Sequence, residues 1–149
     1  MGSRRSGKKS SRELGRLVES AACAYLESEG YVILERNYTS RLGEIDIVAL
    51  DGACLVFVEV RYRGQAAVES PAESLDWKKI SRMKLAVHQY LAARTRDDTP
   101  VVRLDVCLAC PAMAKGKGGS GTAEGRATVD VPDIGPLEFE LLKGVIDFP

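Results

Sequence analysis

Asp51-Gly52 lies between two runs, 44–50 and 53–61, that are apolar at most positions. An Asp-Gly pair between such runs is a strong hairpin signal. Residues two apart on a strand share a face. In the first run Glu44, Asp46, Val48 and Leu50 share one face, and Ile45, Ile47 and Ala49 share the other. In the second, Leu55, Phe57, Glu59 and Arg61 oppose Val56, Val58 and Val60. Both faces are apolar over most of their length, so the hairpin belongs to a sheet covered on both sides.

The flanking sequence offers the covers. Ser10-Ser11-Arg12-Glu13 is a capping box, with Ser10 as N-cap and Glu13 three residues on. Leu14, Leu17, Val18, Ala21, Ala22, Tyr25 and Leu26 then repeat at helical spacing, and Gly30 closes the helix. Residues 31–38 read as a strand, and 39–43 as a turn into the hairpin. Residues 64–73 read as a loop, with Ser70-Pro71-Ala72-Glu73 as a short capped turn. A second helix is expected from about Asp76 to Arg94, with Ile80, Met83, Val87, Tyr90 and Leu91 as its apolar stripe.

A strand follows at 101–109. The Gly-rich stretch at about 111–125 reads as a flexible loop and the tip of a long hairpin. One last strand is expected at 126–131 or 137–142, and Val145, Ile146 and Phe148 are candidates to dock on the core. The chain of 149 residues suffices for one domain. The order αβββαβ(β) predicts an α/β or α+β fold around one mixed central sheet. We divide it into a basic flexible tail, 1–12, and a single domain, 13–149.

Charge and cysteine usage narrow the function classes. The formal net charge is zero, but residues 1–12 hold Arg4, Arg5, Lys8, Lys9 and Arg12 and no acid. The remainder carries 16 basic residues against 21 acidic, a net charge near −5. Bulk charge therefore gives no argument for nucleic acid, and any such binding must use a local patch or the tail. No apolar run approaches the roughly 18 residues that span a membrane, and no apolar core follows the basic start as in a signal peptide. The start also fits the permissive myristoylation pattern, although an ordinary polar tail explains it better.

Cys107 and Cys110 have the C-x-x-C spacing, but the lone His88 is distant and no second pair exists. We read all four cysteines as free thiols filling small apolar positions, which fits a reducing cytoplasm. Trp77 reads as packing over the core, and His88 as a surface residue.

Asp46 and Glu59 are the anomaly of the hairpin. Counted outward from Asp51-Gly52 they lie five and seven residues away, so one register step or a bulge would bring them side by side. Two close carboxylates on an apolar face repel, and one takes a proton unless a cation intervenes. Mg²⁺ takes oxygen ligands, typically one or two carboxylates plus substrate phosphate. Ion pairs of Glu59 with Arg61, or of Asp46 with Arg41, account for the charges equally well.

Glu19 in the first helix, "GEID" at 43–46 and "FVEVRYR" at 57–63, in this order, resemble the YraN-like family. That family is similar to archaeal Holliday-junction resolvases within the restriction-endonuclease-like, PD-(D/E)XK, superfamily. The resemblance runs from about Gly15 to Asp105, including "RNY" at 36–38, the 79–91 helix and "RLDV" at 103–106; "GVIDF" at 144–148 resembles the family's terminal strand. It implies an αβββαβ restriction-endonuclease-like core and Mg²⁺- or Mn²⁺-dependent cleavage of phosphodiester bonds in DNA, with branched or flapped DNA as candidate substrates.

The resemblance further implies Asp46 as the central metal ligand, Glu59 as the second, and the Val60 carbonyl as a third. Glu19 would hold a metal-bound water. Arg61 stands at the superfamily's lysine position; an arginine cannot readily lose its proton, but it can stabilise phosphoryl charge. Arg41, Arg63 and Lys79 are candidate contacts to the nucleic-acid backbone, with solvated surface charge as the alternative. A homodimer is a further expectation of the resemblance, and a non-catalytic binding or interaction module on the same fold is the alternative function.

Overall fold

Among the described residues of the computed structural model there are eight elements: α1 (Ser11–Ser28), β1 (Val32–Thr39), β2 (Glu44–Asp51), β3 (Cys54–Tyr62), α2 (Trp77–Arg94), β4 (Val101–Pro111), β5 (Thr128–Val131) and β6 (Gly135–Ile146). Residues 9–64, 75–94, 100–112, 127–146 and 148 are described. The architecture is mixed α+β: one six-stranded sheet in the order β1-β2-β3-β4-β6-β5, with a helix on each face. The αβββαβ order agrees with the expected restriction-endonuclease-like core. No described helix is long and apolar enough to cross a membrane.

The capping box forms as its sequence demands. Ser10 Oγ accepts from the Glu13 N–H at 3.2 Å, and Glu13 Oε2 accepts from the Ser10 N–H at 3.2 Å. The helix therefore begins at Ser11, so the expected tail boundary at residue 12 falls inside its first turn. Residues 1–8 of that tail lie outside the described residues. In α2, Asp76 Oδ1 caps the N–H groups of Lys78 and Lys79. The Ser70–Glu73 turn also lies outside the described residues.

Helix α1 covers one face, where Val18, Ala22, Tyr25 and Leu26 pack on Ile47, Val56, Val58 and Cys107, with Tyr25 stacked on Phe139. Helix α2 covers the other, where Ile80, Met83, Val87 and Tyr90 pack on Val48, Phe57, Leu104 and Val106. Tyr90 stands edge-on to Tyr38 and Phe57. Because β3 and β4 run parallel, they need a crossover, and α2 supplies it.

Four expectations are corrected. The β2–β3 turn is Gly52-Ala53, since Asp51 pairs with Cys54, and Gly52 supplies the positive φ of 60°. Ile45 is buried on the α2 side with Val48 rather than with Ile47, so alternation breaks at this end of β2. Both candidate last strands exist and form a hairpin, β5–β6, whose β6 pairs with β4. The Gly-rich stretch therefore joins strands that are not neighbours, which is not how a hairpin tip connects. Its residues 113–126 are outside the described set.

Val145, Ile146 and Phe148 pack against the α2-side core as expected. The four cysteines are free. Cys107 is buried and Cys110 half-buried, and three residues apart on a strand they fall on opposite faces.

At the turn end of the hairpin a polar network ties three strands, β2, β4 and β6, to Tyr31 just before β1. Arg103 donates to both oxygens of the fully buried Asp105 (2.8 and 3.1 Å), to Asp51 Oδ2 (2.8 Å) and to Tyr31 Oη (2.9 Å). The Gly144 N–H, in the left-handed region at φ 63°, closes on Asp105 Oδ1 at 2.9 Å. That N–H sits where the β4–β6 register shifts.

Candidate active site

The opposite end of the hairpin is open. The β2–β3 ladder ends at Ile47↔Val58, yet β2 begins at Glu44 and β3 continues to Tyr62 alongside β4. Continuing the same register by one step sets Asp46 opposite Glu59. The two carboxylates meet through the single register step expected from the sequence: the turn is displaced by one residue, and Glu59 and Asp46 share a hydrogen bond. In the fork, the Val60 N–H donates to Asp46 Oδ2 at 2.8 Å. A side chain takes the place of the backbone partner, which fixes the Asp46 carboxylate between the strands.

Glu59 is 4% exposed. Its Oε1 accepts from Lys79 Nζ of α2 at 2.5 Å. Burial pushes its carboxyl up to about 8; the charge of Asp46 and a hydrogen bond with it add to the rise, and Lys79 opposes it. Burial disfavours the Lys79 ammonium, but the Glu59 hydrogen bond and the charges of Glu59 and Asp46 outweigh this and hold its pKa above the ordinary value.

Helix α1 brings Glu19 from the other face. Its pKa is raised by burial and by Asp46's charge, against Arg36, a hydrogen bond with Asn37 and the charge of Lys79. Asn37 reaches this position through a left-handed backbone (φ 54°), which asparagine tolerates better than most residues. Arg36, beside it, donates to Ser20 of α1 at 3.1 Å.

The remaining expected residues lie around this core. Arg61 is half-buried and lines a small recess with Glu59, Asp76, Lys79 and Val106. Arg63 is also half-buried, and its backbone N–H donates to the Ala109 carbonyl at 2.7 Å. Arg41 is exposed in the β1–β2 turn. Trp77 is 55% exposed rather than packed over the core. His88 is exposed, edge-on to Phe148.

Gly43 of "GEID" has a steric role. A Cβ there would lie 2.7 Å from the Arg82 carbonyl oxygen. The missing side chain lets the β1–β2 turn rest on the backbone of α2, which sets the helix carrying Lys79 against the fork. Sequence reasoning missed the Lys79–Glu59 pair, because the partners come from different elements and share no local spacing.

As a donor set for a divalent ion, the fork offers two carboxylates and the adjacent backbone. Among the described residues no three His, Cys, Asp or Glu side chains gather as a metal-binding group. A pair rather than a cage is the set that Mg²⁺ takes when substrate oxygens and water complete its shell. The raised Glu59 carboxyl beside Asp46 is a local excess of negative potential, which a cation relieves. The residues therefore fit such an ion, provided the Lys79 ammonium yields its place on Glu59.

Residues 18–109 match the family described as "Uncharacterised protein family UPF0102". A UPF0102 protein of Carboxydothermus hydrogenoformans is 49% identical over 80 residues, covering 54% of this chain and 68% of its own. One of Desulforapulum autotrophicum is 44% identical over 95 residues, or 64% and 78% of the two chains. Another, of Pseudomonas aeruginosa, is 41% identical over 99 residues, or 66% and 79%. The matched span runs from α1 into β4 and contains Glu19, Asp46, Glu59, Arg61 and Lys79, whereas β5 and β6 lie beyond it. The chain belongs to the UPF0102 family.

Proposed function

We propose that this protein is a Mg²⁺- or Mn²⁺-dependent endonuclease that hydrolyses phosphodiester bonds in DNA, built on a PD-(D/E)XK-like fork. The observation that carries the reading is the meeting of Asp46 and Glu59 at the open end of β2–β3, with Glu19 reaching Asp46 from the other face.

Asp46, Glu59 and the Val60 carbonyl would hold the ion, which supplies charge neutralisation at the phosphate and an acidified water. The chain's own groups do the rest. The Val60 N–H orients Asp46. Glu19, less acidic than a solvated glutamate, is a better acceptor for a proton from water. Arg61 beside Glu59 suits phosphoryl charge, and Lys79 supplies a second cation to the same recess.

Isothermal titration with Mn²⁺ tests this directly. Wild type should bind and Asp46→Asn should not; absence of binding to wild type at millimolar metal removes the hydrolytic reading. One observation favours the alternative of a non-catalytic nucleic-acid module: Lys79 already compensates Glu59. That alternative expects DNA binding indifferent to chelator and no cleavage of branched or single-stranded DNA.

A further inference from the structure

Beside the fork, the β1–β2 turn and α2 enclose a cleft of about 470 Å³ lined by Ser40, Arg41, Leu42, Gly43, Glu44, Lys79 and Arg82. The turn is internally satisfied: Ser40 Oγ accepts from the Leu42 and Gly43 N–H groups and donates to the Gly43 carbonyl. The Ser40, Leu42 and Gly43 N–H groups are thus spent within the turn, and Arg41 and Leu42 offer their side chains to the cleft. Leu42 is 48% exposed. Arg41 and Arg82 are exposed, and neither forms an ion pair among the described residues. Glu44 is the one acid on the lining. Lys79 lines both this cleft and the recess at Glu59, so the two spaces adjoin.

Resting on the phosphodiesterase reading of the fork, we propose that this cleft seats the sugar-phosphate backbone of the DNA strand that enters it, with Arg41 and Arg82 on phosphates flanking the one at Asp46 and Glu59. Planar guanidinium groups suit bidentate phosphate contacts. Two of them on opposite walls, adjoining a carboxylate fork, fit a continuous polyanion better than an isolated anion. Arg82 has no part in the sequence motif; its place follows from the contact at Gly43. Glu44 weakens the site and limits non-specific affinity.

Fluorescence anisotropy of the full chain with labelled single-stranded and duplex oligonucleotides, in EDTA and from 50 to 200 mM salt, tests the assignment. Each phosphate contact contributes roughly 0.7 to 0.9 to the salt slope. Arg41→Gln and Arg82→Gln should therefore each bind about five- to eight-fold more weakly at 0.1 M salt, with a slope lower by that amount. Arg16→Gln removes the same charge from the exposed side of α1 and should change binding less than about two-fold. Glu44→Gln should tighten binding. Circular dichroism confirms that each variant is folded.

Arg82→Gln binding no more weakly than Arg16→Gln overturns the assignment, as does wild type that binds neither oligonucleotide. Chelation separates this test from that of hydrolysis. If wild type binds Mn²⁺ and cleaves DNA while Arg82→Gln binds normally, only the cleft fails. If Arg82→Gln loses affinity and wild type binds no metal, only the hydrolytic reading fails.

Discussion

Replacing Glu59 by glutamine should change how stability depends on pH. The carboxyl has an ordinary value of 4.5 and rises to about 8 in the folded protein. Between those values the folded state binds more protons than the unfolded one, so stability falls as pH rises. The contribution is intact below pH 4.5 and is lost by pH 8. A rise of about 3.5 pH units at 1.36 kcal/mol each gives a total on the order of 5 kcal/mol, with roughly 3 kcal/mol already lost at pH 7. Glutamine keeps an acceptor for Lys79 but cannot ionise. Glu59→Gln should therefore match wild type near pH 4.5 and exceed it by several kcal/mol at pH 8.5. Urea denaturation followed by far-UV circular dichroism reads this; Trp77 is too exposed to be a useful fluorescence reporter. Parallel wild-type and Glu59→Gln stability curves from pH 5 to 8.5 would refute the reasoning, because they would mean that Lys79 holds Glu59 ionised throughout.

Other perturbations have equally definite outcomes. Gly43→Ala forces the β1–β2 turn away from the Arg82 carbonyl and should cost roughly 1–3 kcal/mol, measured as a lower urea midpoint with unchanged slope. Arg103→Met leaves Asp105 buried without its cation and should cost about 3–5 kcal/mol; a loss under 1 kcal/mol would show that the network is not coupled. In native protein a thiol-reactive disulfide should label the half-buried Cys54 and Cys110 first. Cys23 and Cys107 should react only on unfolding, since both are buried out of reach of the reagent; burial raises their thiols as it raises that of Cys54, Cys107 to about 12.

Local signals in the sequence were sufficient where a single element decides the outcome. The Ser10–Glu13 box, the α1 and α2 stripes and the doubly apolar hairpin all follow from spacing within one segment, and each formed. Errors arose where the deciding contact crosses elements. Asp-Gly marked the hairpin, but pairing of Asp51 with Cys54 placed its centre one residue later, and that step decides whether Asp46 meets Glu59. Asn37's left-handed backbone, the Gly43–Arg82 approach and the Lys79–Glu59 pair have no periodicity to reveal them. Likewise, nothing in β5 or β6 states that β6, not β5, lies against β4.

The Val60 amide is held by a carboxylate rather than by a neighbouring strand. Its hydrogen is therefore a built-in spectroscopic probe. Its chemical shift and its exchange with solvent follow the orientation of Asp46 and the potential around it, whereas those of Val56, inside the regular ladder, follow the stability of the sheet. Comparing the two amides during a titration separates an event in the fork from a loosening of the whole domain, without a label, a substrate or a substitution.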